Sequence, residues 1–231
     1  MKKVFFILTF IFTVADINQC LAKSFDRCPF NPTPKVIFRT SLGELEYDFS
    51  KSKKDVSAIA EKPALGLAQR RLGAFLSMQN VGIRYGKGYC VMPEEIEIYI
   101  GIAKPIIYVS SEFKPGECFY NFIVRHEQAH IQTTIRMLDH FVRVAPGTFS
   151  QATRKIRPIY IKDQGDLETA NQQLYDEYSS IITQMKDKLE IETEKEQVKI
   201  DAPELDNLII ETCAKHYKDI NTEIIRLTLE N

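Results

Sequence analysis

Residues 118–141 read CFYNFIVRHEQAHIQTTIRMLDHF and contain His126-Glu127-Gln128-Ala129-His130, an H-E-x-x-H pattern. Apolar residues recur at spacings of three and four on both sides of the pattern, which predicts an amphipathic helix with both histidines on its inward stripe. Residues four apart lie one turn above each other, so the two imidazoles can bind one metal ion. Glu127 projects about 100 degrees from His126, so its carboxylate can reach a water on that ion without binding the ion itself. The alternative is that the histidines are hydrogen-bonded core residues and Glu127 a solvated neighbour.

A catalytic zinc ion usually takes three protein ligands, so the pattern implies a third one farther along the chain. A second helix is predicted over residues 166–197, and on it Glu177 projects about 60 degrees from the centre of the apolar stripe. Glu177 is therefore the predicted third ligand, with a place at the core boundary or a pairing with an arginine as the alternatives. His140 lies about 15 Å along the helix from His130, too far to share an ion.

The first 22 residues have the pattern of a secretory signal peptide. Two lysines precede an apolar run over residues 4–15, and a small residue, Ala22, stands at the expected cleavage position. Residues 23–231 then form the mature chain, exported to the periplasm or secreted, with no stable membrane association after cleavage. Because the apolar run is short for a membrane span, a retained anchor is the less favoured alternative.

The composition is that of one globular domain. The 231 residues are 44% hydrophobic and 26% charged, with a formal net charge of −1. This balance gives no global electrostatic reason to expect nucleic acid as a partner. No internal repeat or linker divides residues 23–231, so a single domain is predicted.

Four cysteines remain after the predicted cleavage: Cys28, Cys90, Cys118 and Cys213. An even number in an exported protein predicts two disulfides, with three possible connectivities. Bonds from Cys90 to Cys118 and from Cys28 to Cys213 are favoured. Zinc binding by cysteine is less favoured because no pair has the C-x-x-C spacing.

Hydrophobic periodicity predicts the other elements. Residues 95–102 alternate isoleucine with polar residues, which predicts a strand with one buried face that pairs with a following strand at 106–110. Proline and glycine in residues 142–165 favour a long connection after the histidine helix. The remaining predictions are a hairpin of strands 36–40 and 44–49, one or two helices over 56–79, and a last helix that Asp201 caps.

The H-E-x-x-H helix, preceded by sheet-like sequence and followed by a helix with an inward glutamate, resembles the zincin metallopeptidases, and loosely their glutamate-ligand branch. The sequence also resembles exported bacterial proteins of unassigned function that share an H-E-Q-x-H core, over residues 95–200. The metzincin continuation is not present, because Thr133 and Arg136 stand where that branch has glycine and histidine. The E-x-x-x-D pattern of the glutamate branch is incomplete, because Ile181 follows Glu177 by four residues.

The resemblance implies an α+β, zincin-like fold with a small, mostly antiparallel sheet packed on the active-site helix and further helices in the C-terminal half. It also implies zinc on His126 and His130 and a general-base role for Glu127 in the hydrolysis of peptide or protein substrates. Tyr160, Tyr175 and Tyr178 are open candidates for stabilising the oxyanion. The alternatives are a hydrolase of cell-wall peptides and a non-catalytic exported binding protein with a structural or vestigial metal site.

Overall fold

The computed structural model describes residues 27–201 and 211–213. The predicted signal peptide lies outside this part of the chain, as does most of the predicted last helix, of which residues 211–213 are described and helical. In chain order the elements are β1 (Lys35–Leu42), β2 (Glu46–Asp48), α1 (Lys53–Ala60), β3 (Gly66–Tyr85), β4 (Gly88–Val109), α2 (Cys118–Thr153), β5 (Ile159–Ile161), a 3-10 turn (Gln164–Asp166) and α3 (Leu167–Val198).

The long strand β4 is the centre of a five-stranded sheet. Strand β3 runs antiparallel along one edge of β4, joined to it by a tight turn at Gly86 with φ of 60°. Strands β5, β1 and β2 follow one another along the other edge. The alternating isoleucines at 96, 98, 100 and 102 are all buried, as the period-two pattern predicts.

The predicted mostly antiparallel sheet with a hairpin near its N-terminus is wrong, although the α+β class holds. Strands β1 and β2 pair with β4 rather than with each other, and both pairings are parallel. Strands β1 and β2 keep the same register along β4, since Lys35 of β1 lies opposite Glu95 and Glu46 of β2 lies opposite Ile106. At the expected turn, the Gly43 N–H donates to the Ile102 carbonyl at 2.8 Å, which keeps the chain along β4. An alternating pattern shows which face of a strand is buried. It does not show which strand will be the neighbour, or whether the two strands will run parallel or antiparallel.

The prediction of one or two helices over residues 56–79 is also wrong for most of that range. Helix α1 begins after Ser52, which forms a capping box with Asp55, and ends at Ala60, where the next residue, Glu61, has a left-handed φ of 57°. Strand β3 follows, with Leu72 and Leu76 buried and Phe75 60% exposed. Alanine, leucine, glutamine and arginine favour helices, but pairing along the whole of β4 and the partial or full burial of alternate side chains around Leu72 and Leu76 override that preference.

Helix α2 confirms the predicted helix around the histidines but continues twelve residues beyond its predicted end at Phe141, to Thr153. It passes through Pro146, so the predicted long connection over residues 142–165 is wrong in its first half. Proline in a helix removes one hydrogen bond and crowds the preceding turn. Ala145 and Phe149 are each 1% exposed, and the apolar surface that they bury offsets that cost.

Helices α2 and α3 cover one face of the sheet, and the predicted α3 is confirmed within about a residue at each end. The helices run antiparallel. The side chain of Gln197, near the end of α3, contacts His130 in the first half of α2, whereas Tyr178 contacts Phe149 near the end of α2. This arrangement brings the C-terminal end of α3 to the histidines.

The described residues form two disulfides, as predicted, but the favoured pairing is wrong: the bonds join Cys28 to Cys90 and Cys118 to Cys213. The first ties the N-terminal segment to the start of β4, and the second ties the start of α2 to the C-terminal segment. Two disulfides fit a protein exported to an oxidising compartment. Within residues 27–201 and 211–213, no helix has both the length and the apolar composition needed to cross a membrane.

Candidate metal centre

The two histidines of the H-E-x-x-H pattern lie one helical turn apart on α2 and face the same cleft. Their Nε2 atoms are 3.1 Å apart, and their ring centroids are 4.8 Å apart. The side chains are only 15% and 11% exposed for His126 and His130. The placement confirms that both imidazoles project from one stripe of the helix.

Asp201, three residues after the end of α3, completes a group of three candidate ligands. Its Oδ1 lies 3.2 Å from the Nε2 of His126 and 2.9 Å from the Nε2 of His130. Nitrogen and oxygen ligands about 2.0–2.2 Å from a tetrahedral ion lie roughly 3.3–3.6 Å from one another. The observed triangle of donors is close to that size, so the group could hold a metal ion.

The structure does not bring Glu177 to this group. The side chain is exposed on α3 and accepts a hydrogen bond from Gln173 Nε2 at 3.3 Å, one turn earlier. The buried positions of α3 recur mainly every four residues, through Leu174, Tyr178 and Ile182. Each such step rotates the stripe by about 40 degrees, which carries it away from Glu177. Projection from Leu174 alone therefore placed this carboxylate too far inward.

The sequence interpretation missed Asp201 because it treated this residue as the cap of a last helix. A single aspartate after a helix carries no signal of metal binding. It reaches the histidines because α3 runs back along α2 and ends beside them. The Cys118–Cys213 disulfide fastens the chain again twelve residues later.

Glu127 lies against strand β3 and is 7% exposed. The pKa of its carboxyl group is raised from 4.5 to about 7, mainly by burial and to a smaller extent by the negative charge of Asp201. A hydrogen bond from the Ala68 backbone N–H and the positive charge of Lys62 act in the opposite direction on this pKa. The carboxyl group therefore changes its charge near neutral pH, at a position next to a candidate metal ligand.

Gly66 allows β3 to approach α2 at this point. A Cβ atom on Gly66 would lie 2.4 Å from Ile123 Cγ2 and 2.8 Å from Glu127 Oε1, much closer than real atoms approach. Because residue 66 has no side chain, the backbone of β3 can come close to the Glu127 carboxyl group. The N–H of Ala68, two residues later in the same strand, then donates to that group.

The three candidate ligands and Glu127 line an open cleft of about 550 Å³. Its cations are Lys53, Lys62 and Arg70. Lys62 Nζ is 3.7 Å from Asp201 Oδ2, and Arg70 Nη2 is 3.2 Å from Glu194 Oε2. The rest of the lining is mainly apolar and comes from the end of α1, the start of β3, the segment between them and one face of α2: Ala60, Pro63, Ala64, Leu65, Leu67, Ala68, Phe119, Phe122 and Ile123.

None of the three candidate tyrosines lines this cleft. Tyr178 packs in the core with its ring centroid 5.9 Å from that of Phe149, and burial raises its pKa to about 12. Tyr160 lies in β5, opposite Cys90 of β4, and Tyr175 is on the exposed side of α3. The structure gives none of them a place beside the histidines.

Comparison with protein families, with curated proteins and with solved structures finds no match to this chain. The chemistry of the site therefore rests on its own geometry: two imidazole nitrogens, one carboxylate oxygen and a buried carboxyl group, all facing one cleft.

Proposed function

We propose that the protein is an exported zinc-dependent peptidase, periplasmic or secreted, that hydrolyses peptide or protein substrates. The observation that carries the proposal is Glu127, a buried carboxyl group that immediately follows a candidate metal ligand and lines an open cleft. Burying a carboxylate is costly, and carboxyl groups with a raised pKa in a cleft are often catalytic. A non-catalytic binding protein with a structural metal site would have no need of this group.

Zinc suits the donor set of His126, His130 and Asp201, since catalytic zinc sites use three ligands of this kind and keep one position open. When bound, Zn²⁺ would supply Lewis acidity, which lowers the pKa of a water molecule and polarises a carbonyl oxygen. The second carboxylate oxygen of Asp201 is held by Lys62.

Glu127 is the general base on this proposal. It accepts the proton of the attacking water and then delivers it to the leaving amine. Burial favours the protonated form of this carboxyl group, which suits a group that must release the proton after taking it. The Ala68 N–H, made accessible by Gly66, holds one carboxyl oxygen, so the group is oriented before the substrate binds.

The cleft suits an extended peptide. Its volume lies within the range of about 300–1,000 Å³ typical of ligand sites, and it combines an apolar wall with three cations. A peptide offers both apolar side chains and carbonyl or carboxylate oxygens to such a surface. Cell-wall peptides have the same chemistry and are candidate substrates too.

The proposal is tested by metal analysis and hydrolysis with residues 23–231, purified without a histidine tag and dialysed against metal-free buffer. We expect near-stoichiometric zinc in the wild type, loss of zinc in His126→Ala, and full zinc in Glu127→Gln. A mixed peptide library should be cleaved by the wild type, and Glu127→Gln should lower the rate by about 10²-fold or more.

His140→Ala is the matched control, because this exposed histidine lies on the same helix but outside the cleft. It should keep both zinc and activity. A Glu127→Gln protein as active as the wild type would refute the general-base assignment. Zinc retained by His126→Ala at the level of the wild type would refute the site itself.

A further inference from the structure

Gln197, in the last turn of α3, has the most complete set of hydrogen bonds around the candidate metal centre. The residue is 2% exposed, and its side chain reaches across to α2. Its Oε1 contacts the Nδ1 of His130. Its Nε2 donates to the His130 carbonyl at 3.1 Å and to Thr134 Oγ1 at 3.0 Å.

These partners fix which way the Gln197 amide faces. The Thr134 hydroxyl donates its only proton to the His130 carbonyl, 3.1 Å away, so its oxygen must accept from Gln197. The His130 carbonyl can only accept as well. Both contacts therefore require the amide nitrogen, which leaves Oε1 to face Nδ1 of His130.

The amide orientation in turn fixes the proton on the His130 ring. An amide oxygen only accepts, so Nδ1 must carry a hydrogen. In a neutral ring the lone pair is then on Nε2, which lies 2.9 Å from Asp201 Oδ1 and 3.1 Å from His126 Nε2. The lone pair of His130 Nε2 and the carboxylate oxygen of Asp201 repel each other unless a positive charge lies between them, and a metal ion in the triangle can supply that charge.

The backbone of Gln197 also acts on the third candidate ligand. Its carbonyl accepts from the N–H of Ile200 at 2.9 Å and from the N–H of Asp201 at 3.4 Å. These bonds turn the chain at the end of α3 and place Asp201 over the histidines. One residue thus holds His130 through its side chain and Asp201 through its carbonyl.

We infer that Gln197 is the positioning residue of the metal centre: it selects the Nδ1–H tautomer of His130 and so presents Nε2 to the ion. Gln197 does not touch the ion. The inference rests on the proposed function, because it assigns a role at the same site. Partners that orient a metal-bound histidine commonly change metal affinity by about 10- to 100-fold when they are removed.

The test compares zinc affinity, measured by competition with a chromophoric chelator, in wild type, Gln197→Met and Gln197→Glu. Methionine has a similar length but no hydrogen-bonding amide, so we expect affinity to fall about 10- to 100-fold. Glutamate can still accept from Nδ1–H but cannot donate to the His130 carbonyl or to Thr134, so it should restore part of that loss. Gln173→Met is the control, because Gln173 is exposed on the same helix, and it should bind zinc as the wild type does.

A second readout is the tautomer of His130, from the ¹⁵N chemical shifts of its ring in the full mature protein at pH 8. The wild type should show Nδ1–H with and without zinc, and so should Gln197→Glu. This measurement does not depend on enzymatic activity. It tests the tautomer of His130 in the wild type and in Gln197→Glu even if Gln197→Met does not fold. An Nε2–H ring in the zinc-free wild type would overturn the inference.

The two proposals fail in different ways. A wild type that binds no zinc overturns the proposed function, and the role of Gln197 with it. A wild type that binds zinc and cleaves peptides, beside a folded Gln197→Met protein with equal affinity and the same tautomer, overturns only the role of Gln197.

Discussion

The two ends of the α2–α3 pair bury very different side chains. At the end near the cleft, the polar end, Ile123, Ile131 and Leu189 are buried beside six polar or charged residues: Glu127, His130, Thr133, Thr134, Thr193 and Gln197. At the opposite end, the apolar end, they are Ala145, Phe149, Ala170, Leu174, Tyr178 and Ile182. The same two helices therefore make an ordinary hydrophobic core at one end and a polar network at the other.

The difference shows where the protein accepts a cost in stability. Burying hydrocarbon stabilises the fold by roughly 25 cal/mol per Å², whereas each buried polar group costs free energy unless a hydrogen bond compensates it. At the polar end His130, Thr134 and Gln197 satisfy one another, and Glu127 has the Ala68 N–H. We therefore expect substitutions at the apolar end to change stability alone, and those at the polar end to change chemistry as well.

The largest expected effect is at the apolar end. Phe149→Ala should lower the free energy of unfolding by about 3–5 kcal/mol, because it removes a fully buried ring that packs on Phe38 and Tyr178. Denaturant titration measures this loss, and zinc affinity in the folded fraction should not change. Phe75→Ala is the control: this phenylalanine is 60% exposed and should cost far less. Equal losses for the two variants would contradict the location of the core.

The next effect is a pH dependence of stability, which we expect from the polar end because Glu127 is buried there. In chelated protein, folding raises the pKa of Glu127 from 4.5 to about 7, so the folded state holds a proton that the unfolded state has released. Stability should therefore fall as pH rises from about 4.5 to about 7, by about 3 kcal/mol in total. Glu127→Gln removes this cost and should be the more stable protein at pH 8 but not at pH 4.5.

Denaturant titrations of both proteins across that pH range, beside the exposed control Glu94→Gln, measure the difference. A Glu127→Gln protein whose stability follows that of the wild type at every pH would show that this carboxyl group is not buried.

A smaller effect is expected where strand β3 meets the polar end. Gly66→Ala should cost about 1–3 kcal/mol, because the new methyl group would collide with Ile123 and Glu127. It should also lower peptidase activity, since Glu127 and the Ala68 N–H would be pushed apart. Gly73→Ala in the same strand is the control, because a Cβ there meets nothing within 4 Å. Similar activity in the two variants would argue against a role for this close approach.

The smallest effect distinguishes two buried threonines at the polar end. Among the described residues, Thr193 Oγ1 has no hydrogen-bond partner, so Thr193→Val should stabilise the protein by about 1 kcal/mol. Thr134→Val should destabilise it, because that hydroxyl bonds both His130 and Gln197. Thermal melts of the two variants give the signs, and a loss of stability in Thr193→Val would reveal a partner for its hydroxyl.

The sequence by itself determined the local features. The spacing of His126 and His130 placed both imidazoles on one face, because a helix repeats every 3.6 residues. The same geometry predicted that the Glu127 carboxylate lies near the metal ligands without binding the ion. The alternating isoleucines identified the buried face of β4. The cysteine count indicated two disulfides. Each of these depends only on residues close together in the chain or on a count.

Only the tertiary structure decided what comes together from distant parts of the chain. Asp201 and Gln197 reach the histidines because α3 returns along α2, and neither residue carries a local pattern that reveals this contact. Strand β3 formed from a helix-favouring sequence because β4 offered it a full-length partner. Strands β1 and β2 lie parallel to β4, a direction that their own sequences do not indicate. The disulfide pairing depended on the same long-range placement. Local periodicity shows which side of an element is buried, but the identity of its neighbour is set by the packing of the whole chain.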